Sequence, residues 1–499
     1  MRIERDSLGE VQVPDEAYYG PQTARAIQNF PISGQQMPAP FIRAHVMLKK
    51  AAAIVNMELG LLDKPRGDAI AQACDEIIAG ADWSRDQFPV DIYQTGSGTS
   101  TNMNVNEVLA SRANELLGHP RQPIINTNDP KNAQAPDGNP AALPEAPDGN
   151  PVVPRQSNTP PTTNPSVHPN DHVNMGQSSN DTIPTSMQVM AAMMMQNQLT
   201  PALDQLIDSI SRKSKELWPV IKTGRTHLQD ATPIRLGQEF LGYAQQLGDI
   251  SMGWVMVTRF PLLRLPIGGT AVGTGINAHP KFAGRLCKLL AEWSGCKFKE
   301  TDNHFSAQGT LDTVTTAHSC FKSLAISLTK IANDIRWMAS GPRAGLGEIE
   351  LPAVQPGSSI MPGKVNPVIC ESVLMVCQRV IGNDAALTAA ACANNFELAM
   401  SMPLAAHLLH ESITLLANAC RNLATQCIDG IKATPRGPEL VEQGLMLATA
   451  LAPVIGYEKA ADIAKEAAKT GRTIREVARG KTSLSDAELA KLLDPETMV

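Results

Sequence analysis

The strongest constraint on the fold is a set of long stretches almost free of helix breakers. They run from Pro184 to Leu217, interrupted by Pro201; from Thr310 to Ser340; from Val368 to Ala393, with Gly382 inside; and from Leu404 to Ile428. At a rise of ~1.5 Å per residue each is long enough to cross a domain as one helix, and several such helices imply a bundle. Met187, Met190, Ala191, Met194 and Gln198 recur at three- and four-residue spacing, a packing stripe on one face. Val373-Leu374-Met375-Val376 places apolar residues on more than one face, so helices buried on all sides, partly by other subunits, are expected. With aromatics at 4% and Ala, Leu and Met abundant, a mainly α fold around a central long-helix bundle is predicted rather than a β-sandwich.

The 499 residues suffice for about three domains. Lys and Arg total 43 against 49 Asp and Glu, with no long basic run, so nucleic acid is not an expected partner. The charged start Met1-Arg2-Ile3-Glu4-Arg5-Asp6 is unlike a signal peptide, and nowhere do about 18 apolar residues run together, so no membrane is expected either. Nine scattered cysteines without a C-x-x-C pair read as small buried hydrophobes in a reducing, cytoplasmic setting, not as zinc or iron-sulphur ligands. Residues 120–165 hold 12 of the 37 prolines, no aromatic residue, and a duplicated hexapeptide, Ala135 to Pro140 and Ala146 to Pro151. That composition predicts a long loop or disordered insertion. From about Ala433, after Pro435 and Gly437, shorter helical pieces predict a small separate domain.

Four polar, glycine-bearing stretches interrupt the helical pattern, and the chemistry is sought there. Gln94 to Asn104, with Ser97, Gly98 and Thr99, leads into a helix ending near Gly118; its hydroxyls and amides either hold a carboxylate or serve as ordinary N-caps. His168 to Asp181 holds Ser178, Ser179 and Asn180 at a positive helix end, and His168 and Asp171, which alone read as turn or surface residues. Lys222 to Pro233 carries His227 between Thr226 and Gln229, and His is the side chain best matched to proton transfer near neutral pH. Pro356 to Pro367 carries Ser358, Ser359, Lys364, Val365 and Asn366, with Glu371 four residues on; Asn366-Pro367 reads as an N-cap followed by proline in the first helical turn. Together these supply carboxylate donors, a cation, a histidine with a candidate Glu partner and a loop serine, and so a proton-abstraction site. Gly268 to Gly275 lacks a Walker lysine and a preceding strand pattern, and reads as a tight turn between helices.

The stretch Gly357-Ser358-Ser359-Ile360-Met361-Pro362-Gly363-Lys364-Val365-Asn366-Pro367 resembles the signature of the fumarase/aspartase superfamily, and the other three stretches match that family in order. The likeness runs from Val13-Pro14 to Ile455-Gly456-Tyr457 and the terminal Pro495 to Val499, leaving 120 to about 165 without a counterpart. It is closest to class II fumarate hydratases, with aspartate ammonia-lyases next. His227, Ser178-Ser179-Asn180, Arg336-Trp337 and Asn394 to Leu398 resemble the former; Tyr18-Tyr19-Gly20, Leu351 to Pro356 and Val368-Ile369 resemble the latter. His227 weighs most because it touches the chemistry. A catalytically silent helical scaffold, the third reading, need not retain Ser358, Lys364, Asn366 and His227 together.

The resemblance implies a homotetramer of three-domain subunits, here 1–176, 177–432 and 433–499, with each active site assembled from three chains. It implies reversible anti elimination of water from L-malate to fumarate, without cofactor or metal, through a carbanion held as an aci-carboxylate. Ser358 would take the C3 proton, and His227, paired with Glu371, would handle the proton of the departing hydroxyl through a water; which of the two removes the carbon-bound proton stays open. Lys364 and Asn366 would stabilise charge. Ser97, Gly98, Thr99, Ser178, Ser179, Asn180, Thr226, Ser359 and Val365 would complete the dicarboxylate site. An accessory anion site is implied at His168, Pro169, Asn170 and Asp171, but Pro165-Ser166 stands where the family has Arg-Lys, and Met175 replaces a common Lys. Both departures weaken that site.

Overall fold

A computed structural model describes residues 1–119, 165–257 and 261–499, so the expectation for 120–165 lies, except for residue 165, outside the described residues. The chain is mainly helical. After a hairpin of β1 (Arg2–Asp6) and β2 (Gly9–Val13) come α1 (Pro21–Asn29), α2 (Ala39–Glu58), α3 (Lys64–Ile78), α4 (Thr99–Leu116), α5 (Ser179–Met194) and α6 (Thr200–Glu216). A second hairpin, β3 (Ile221–Thr226) and β4 (Gln229–Arg235), precedes α7 (Leu236–Val257). Then follow β5 (Arg264–Leu265), α8 (Phe282–Ser294), β6 (Lys299–Glu300), α9 (His304–Gly309), α10 (Asp312–Met338), β7 (Ile349–Glu350), α11 (Val368–Ala391), α12 (Met402–Gln426) and β8 (Lys432–Ala433). Helices α10, α11 and α12 fill three of the breaker-poor stretches. No helix among the described residues is long and apolar enough to cross a membrane.

The fourth stretch folds differently from its pattern. The helix begins at Ser179 rather than at Pro184, because Ser178 Oγ accepts from Asn180 N (3.2 Å) while Asp181 Oδ1 accepts from Ser178 N (2.9 Å). This reciprocal cap settles the start, and Pro184 is carried in the second turn at the loss of one intrahelical bond. One α-helix does not continue to Leu217 either. A π turn at Met195–Leu199 separates α5 from α6, and Pro201 falls in the first turn of α6, where its missing N–H has no helical partner to lose.

The described chain forms two compact units, one of Met1–Gln196, Met256–Ser319 and Asn383–Ile413, the other of Asn197–Val255, Cys320–Gly382 and Thr414–Val499. In the first, α2 packs against α3, α5 and α8. Its core mixes apolar side chains such as Phe41, Val46, Leu48 and Ile183 with fully buried His45, Lys49, Asn106 and Asp181. The second buries stripes from α6 (Leu203, Leu206, Ile210), α7 (Phe240, Tyr243, Leu247), α10 (Phe321, Leu324, Leu328, Ile331, Ile335) and α12 (Leu416, Cys420, Leu423). Val441, Leu451, Ile463 and Val477 belong to a further cluster that also takes in Ile221 of β3. Helix α11 is not buried on all sides within this chain: Cys370, Val373, Cys377 and Val380 are covered, whereas Met375 is 63% and Ile381 40% exposed. All nine cysteines are free thiols.

Lys49 gives the first unit a pH signature. Its amino group donates to Asn174 Oδ1 (2.9 Å) and Gln177 Oε1 (3.0 Å), yet burial lowers its pKa from 10.5 to about 7, against the attraction of Asp181 and Cys74. Between these values the unfolded chain holds the proton and the folded chain does not, so unfolding takes up a proton and this group's contribution to stability rises with pH. Stability measured by urea unfolding is expected to rise more from pH 7 to 9 for the wild type than for Lys49→Met. Parallel curves would show that Lys49 keeps its proton throughout.

Candidate functional site

In the first unit the two hydroxyl-rich stretches meet at adjacent helix starts. Gly98 precedes α4 with φ of 74°, and an added Cβ would press on Ile183 at 3.0 Å, so the approach of α4 to α5 requires glycine there. Ser97 Oγ lies 2.8 Å from Thr99 Oγ1, which lies 2.8 Å from Ser179 Oγ, a chain of three hydroxyls spanning both stretches. Of the two readings of that stretch, N-capping describes Thr95 and Gln94, whose Oγ1 and Oε1 accept from Ser100 N (3.0 Å) and Thr101 N (2.9 Å) in the first turn of α4, but not Ser97 and Thr99; Ser178 caps α5. Asn180 Nδ2 donates to Ala271 O at 2.7 Å. Asp181, beside it, accepts from Gly268 N (3.1 Å) and Thr270 N (2.9 Å), and burial raises its carboxyl above the usual range. The Gly268–Gly275 turn is therefore fastened to the start of α5. It lies between a strand and a helix, not between two helices: β5 pairs in parallel with β6, and two residues were too few to leave an alternating pattern.

The accessory stretch is a π turn, Pro169–Val173, entered from His168, whose Nδ1 accepts from Asp171 N (3.2 Å). Burial holds the His168 imidazole below its ordinary pKa and that of His172 at about 4. An arginine does reach this stretch, from α3: Arg66 Nε donates to Ser166 O at 2.7 Å while Asp63 engages Nη1 at 2.6 Å. The cleft beside His168, Pro169 and Asn170 has a volume of about 10 Å³, the size of one water.

In the second unit β3 and β4 turn through two residues, His227 and Leu228, between the paired Thr226 and Gln229. Both central residues lie in the left-handed region, at φ 58° and 59°. Asn-Gly is the usual occupant of such a turn, and each L residue there costs on the order of 1 kcal/mol. His227 is exposed at the tip and Leu228 is 64% exposed, so no packing of these side chains within the chain offsets the strain. The stem is fixed from below. Arg225 meets the buried Glu348 through two bonds, Nη1 to Oε2 at 3.0 Å and Nη2 to Oε1 at 2.8 Å, and Lys222 Nζ lies 3.3 Å from Glu348 Oε2 and 3.0 Å from Glu239 Oε2.

Glu348 immediately precedes β7, and the chain then enters the serine loop. Gly357 N donates to Lys364 O at 2.9 Å and Asn366 Nδ2 to Gly357 O at 2.8 Å, closing residues 357–366 into a ring. Asn366 is therefore not the helix cap that its sequence position suggested; α11 starts at Val368, and Pro367 O accepts the first helical bond, from Glu371 N (3.1 Å). Ser358 Oγ accepts from Ile360 N (3.3 Å) and Met361 N (3.1 Å). Two amide donors on one hydroxyl oxygen favour its anionic form. Lys364, Asn366 and Glu371 line a cavity of about 980 Å³ together with Arg336, Trp337 and Thr434; neither Ser358 nor His227 lines it. Ser359, Lys364 and Val365 are exposed. Among the described residues His227 and Glu371 share no hydrogen bond within the chain.

A Cβ at Gly357 would lie 2.2 Å from Lys364 O and 3.0 Å from Asn366 N, both backbone atoms. Gly357→Ala is therefore expected to open the ring and lower turnover by at least about tenfold, since misplacement near 1 Å costs about that much or more, with the unfolding midpoint little changed because the loop is on the surface. Normal steady-state kinetics would mean that the ring does not set the position of Ser358.

Compared with known proteins, the sequence matches the lyase family over residues 9–382 and the fumarase C C-terminus over residues 447–499. It is 45% identical to a class II fumarate hydratase of Bordetella parapertussis, covering 100% of this chain and 98% of that one. The chain belongs to the class II fumarase family. A Halobacterium salinarum class II fumarate hydratase is 47% identical, covering 100% of this chain and 97% of its own. The crystal structure of a class II fumarase from Schistosoma mansoni superposes with a TM-score of 0.88 at 37% identity, over 100% of this chain and 98% of that one. Against this fumarase fold, the residues that sequence reasoning missed are the supports: Glu348 and Arg225 under the hairpin, and Lys49 under the hydroxyl chain. Glu348 and Arg225 carry one sequence signal, a charged residue between apolar or small neighbours, whereas Lys49, beside Lys50, carries none.

Proposed function

We propose that this chain catalyses the reversible hydration of fumarate to L-malate. Identity of 45–47% across the whole chain to class II fumarate hydratases carries this reading, and the geometry supports it with separate carboxylate-binding and proton-transfer parts. Ser97, Gly98, Thr99, Ser178, Ser179 and Asn180 would hold substrate carboxylates by charge-assisted hydrogen bonds at the positive ends of α4 and α5. Ser358, its anion stabilised by the Ile360 and Met361 amides, would remove the C3 proton. His227, oriented by Glu371 of another copy, would return a proton to the leaving hydroxyl through a water. Lys364, Asn366, Thr226, Ser359 and Val365 would complete the site and stabilise the aci-carboxylate.

Because His227 and Glu371 share no hydrogen bond among the described residues of one chain, and Met375, Ile381 and the 92% exposed Phe396 are left uncovered, the reading includes a homotetramer of three-domain subunits with shared sites. Nine free thiols support a cytoplasmic setting.

The test is a substrate panel read by fumarate absorbance. L-malate should yield fumarate, with or without a chelator, because the proposed acid and base are side chains. L-aspartate should yield little or none. Preferential release from aspartate, or a loss on chelation restored by iron, would overturn the reading.

A further inference from the structure

The most unusual buried group that the proposed chemistry leaves unused is Lys49, which has no solvent exposure. It lies in the middle of α2, far from either end of that helix, and its amino group reaches the turn just before the hydroxyl-bearing start of α5. There it donates to Asn174 Oδ1 at 2.9 Å and to Gln177 Oε1 at 3.0 Å. Asn174 Oδ1 accepts two further bonds, from Asn102 Nδ2 (3.3 Å) and Asn106 Nδ2 (3.2 Å) of α4. One oxygen thus ties α2, α4 and the turn before α5 together. One helical turn earlier on α2, His45 places Nε2 3.1 Å from Asn102 Oδ1 and Nδ1 2.8 Å from Ser186 Oγ on α5.

The consequence is positional. Thr99 stands one turn before Asn102 on α4, and Ser179 two residues after Gln177, so the bonds of Lys49 set the spacing at which Ser97, Thr99 and Ser179 form their hydroxyl chain. Burying an amino group is costly unless its bonds are made. A lysine persists here because it supplies several donors to two amide oxygens that would otherwise lose a partner. The charged and titratable groups that face it are His45 on its own helix, Cys74 on α3 and Asp181 on α5. Asp181 is itself tied to the Gly268 and Thr270 amides.

We propose that Lys49 is a positioning residue for substrate binding, clamping the Asn174–Gln177 turn so that the hydroxyls of Ser179, Thr99 and Ser97 present one preformed carboxylate pocket. This rests on the reading of that hydroxyl chain as the carboxylate site. A support of this kind acts on ground state and transition state alike, because the carboxylate stays bound through the reaction, and its loss falls on KM rather than on kcat.

The experiment measures malate dehydration by the full-length wild type, Lys49→Met, Gln177→Met and the double variant. Lys49→Met should raise KM for L-malate by at least about tenfold with kcat within about threefold, and Gln177→Met should raise it by about three- to tenfold. The double variant should fall short of the product of the two single effects, since both changes break the Lys49–Gln177 bond, while Gln177 Nε2 adds bonds of its own to Val173 O (3.0 Å) and Met175 O (3.2 Å). Normal KM in both single variants, a fall in kcat at unchanged KM, or additive effects in the double variant would each overturn the proposal. If Lys49→Met does not fold, the half-buried Gln177→Met decides: a normal KM there overturns it. A wild type that does not form fumarate from malate overturns the functional reading and this proposal together, which separates that failure from the others.

Discussion

Ser358→Ala is expected to lower kcat for malate dehydration by about 10²–10⁴-fold while leaving KM within a few-fold, the pattern for loss of a positioned proton acceptor that binds little of the substrate. The argument starts at the oxygen. Ile360 N and Met361 N both donate to Ser358 Oγ, which leaves the serine proton free to depart and places two dipoles where the negative charge would form. Alanine removes the acceptor but strands neither amide in a dry place, because Ile360 is 84% and Met361 48% exposed and water can replace the hydroxyl. The ring bonds from Gly357 to Lys364 and from Asn366 to Gly357 do not involve the serine side chain, so the loop should keep its shape and the variant its unfolding midpoint. A variant that turns over like the wild type would remove Ser358 from the base role and leave His227 as the group that takes the carbon-bound proton.

Glu348→Gln should have the largest effect on stability. Glu348 is 1% exposed and faces two cations, Arg225 through Nη1 and Nη2 and Lys222 at 3.3 Å. The substitution preserves volume but leaves Arg225 without a buried counter-charge, and Lys222 with Glu239 alone. Removing one partner of such a pair costs about 3–5 kcal/mol, because the remaining charge stays desolvated. The urea midpoint should fall accordingly. Activity should fall as well, by more than the unfolded fraction explains, since the pair joins the stem of the His227 hairpin to the strand leading into the Ser358 loop. Full activity in the folded variant would mean that the strained tip at His227 and Leu228 holds itself in place. An unchanged midpoint would mean that the pair lies in a wetter environment than its exposure indicates.

These two residues also mark how far sequence reasoning reaches. The long helices were legible because periodic apolar spacing is a local signal, repeated within every few residues of α10, α11 and α12. The polar stretches were legible because glycine, proline and clustered hydroxyls break that period. So was the family, since the Gly357 to Pro367 stretch and the other three motifs sit on the loops that the helices leave between them. The breaker-poor stretch starts at Pro184, whereas α5 starts at Ser179, in the polar stretch expected at a positive helix end, because the reciprocal cap from Ser178 and Asp181 sets the start ahead of the proline. The role of Asn366 was misplaced because an Asn-Pro pair looks the same whether its amide caps a helix or closes a ring.

What the tertiary structure alone decided are contacts between residues far apart in the chain. Thr99 meets Ser179 across 80 positions, Arg225 meets Glu348 across 123, and Lys49 meets Asn174 across 125. By itself the sequence determined that this protein is built of long helices and which loops carry its hydroxyls, histidine, serine and lysine, because both depend on residues that are neighbours along the chain. It could not determine which of those groups are aligned or which buried charges support them. A hydrogen bond across a hundred residues leaves no periodic trace, and is fixed only when packed helices bring its two ends within 3 Å.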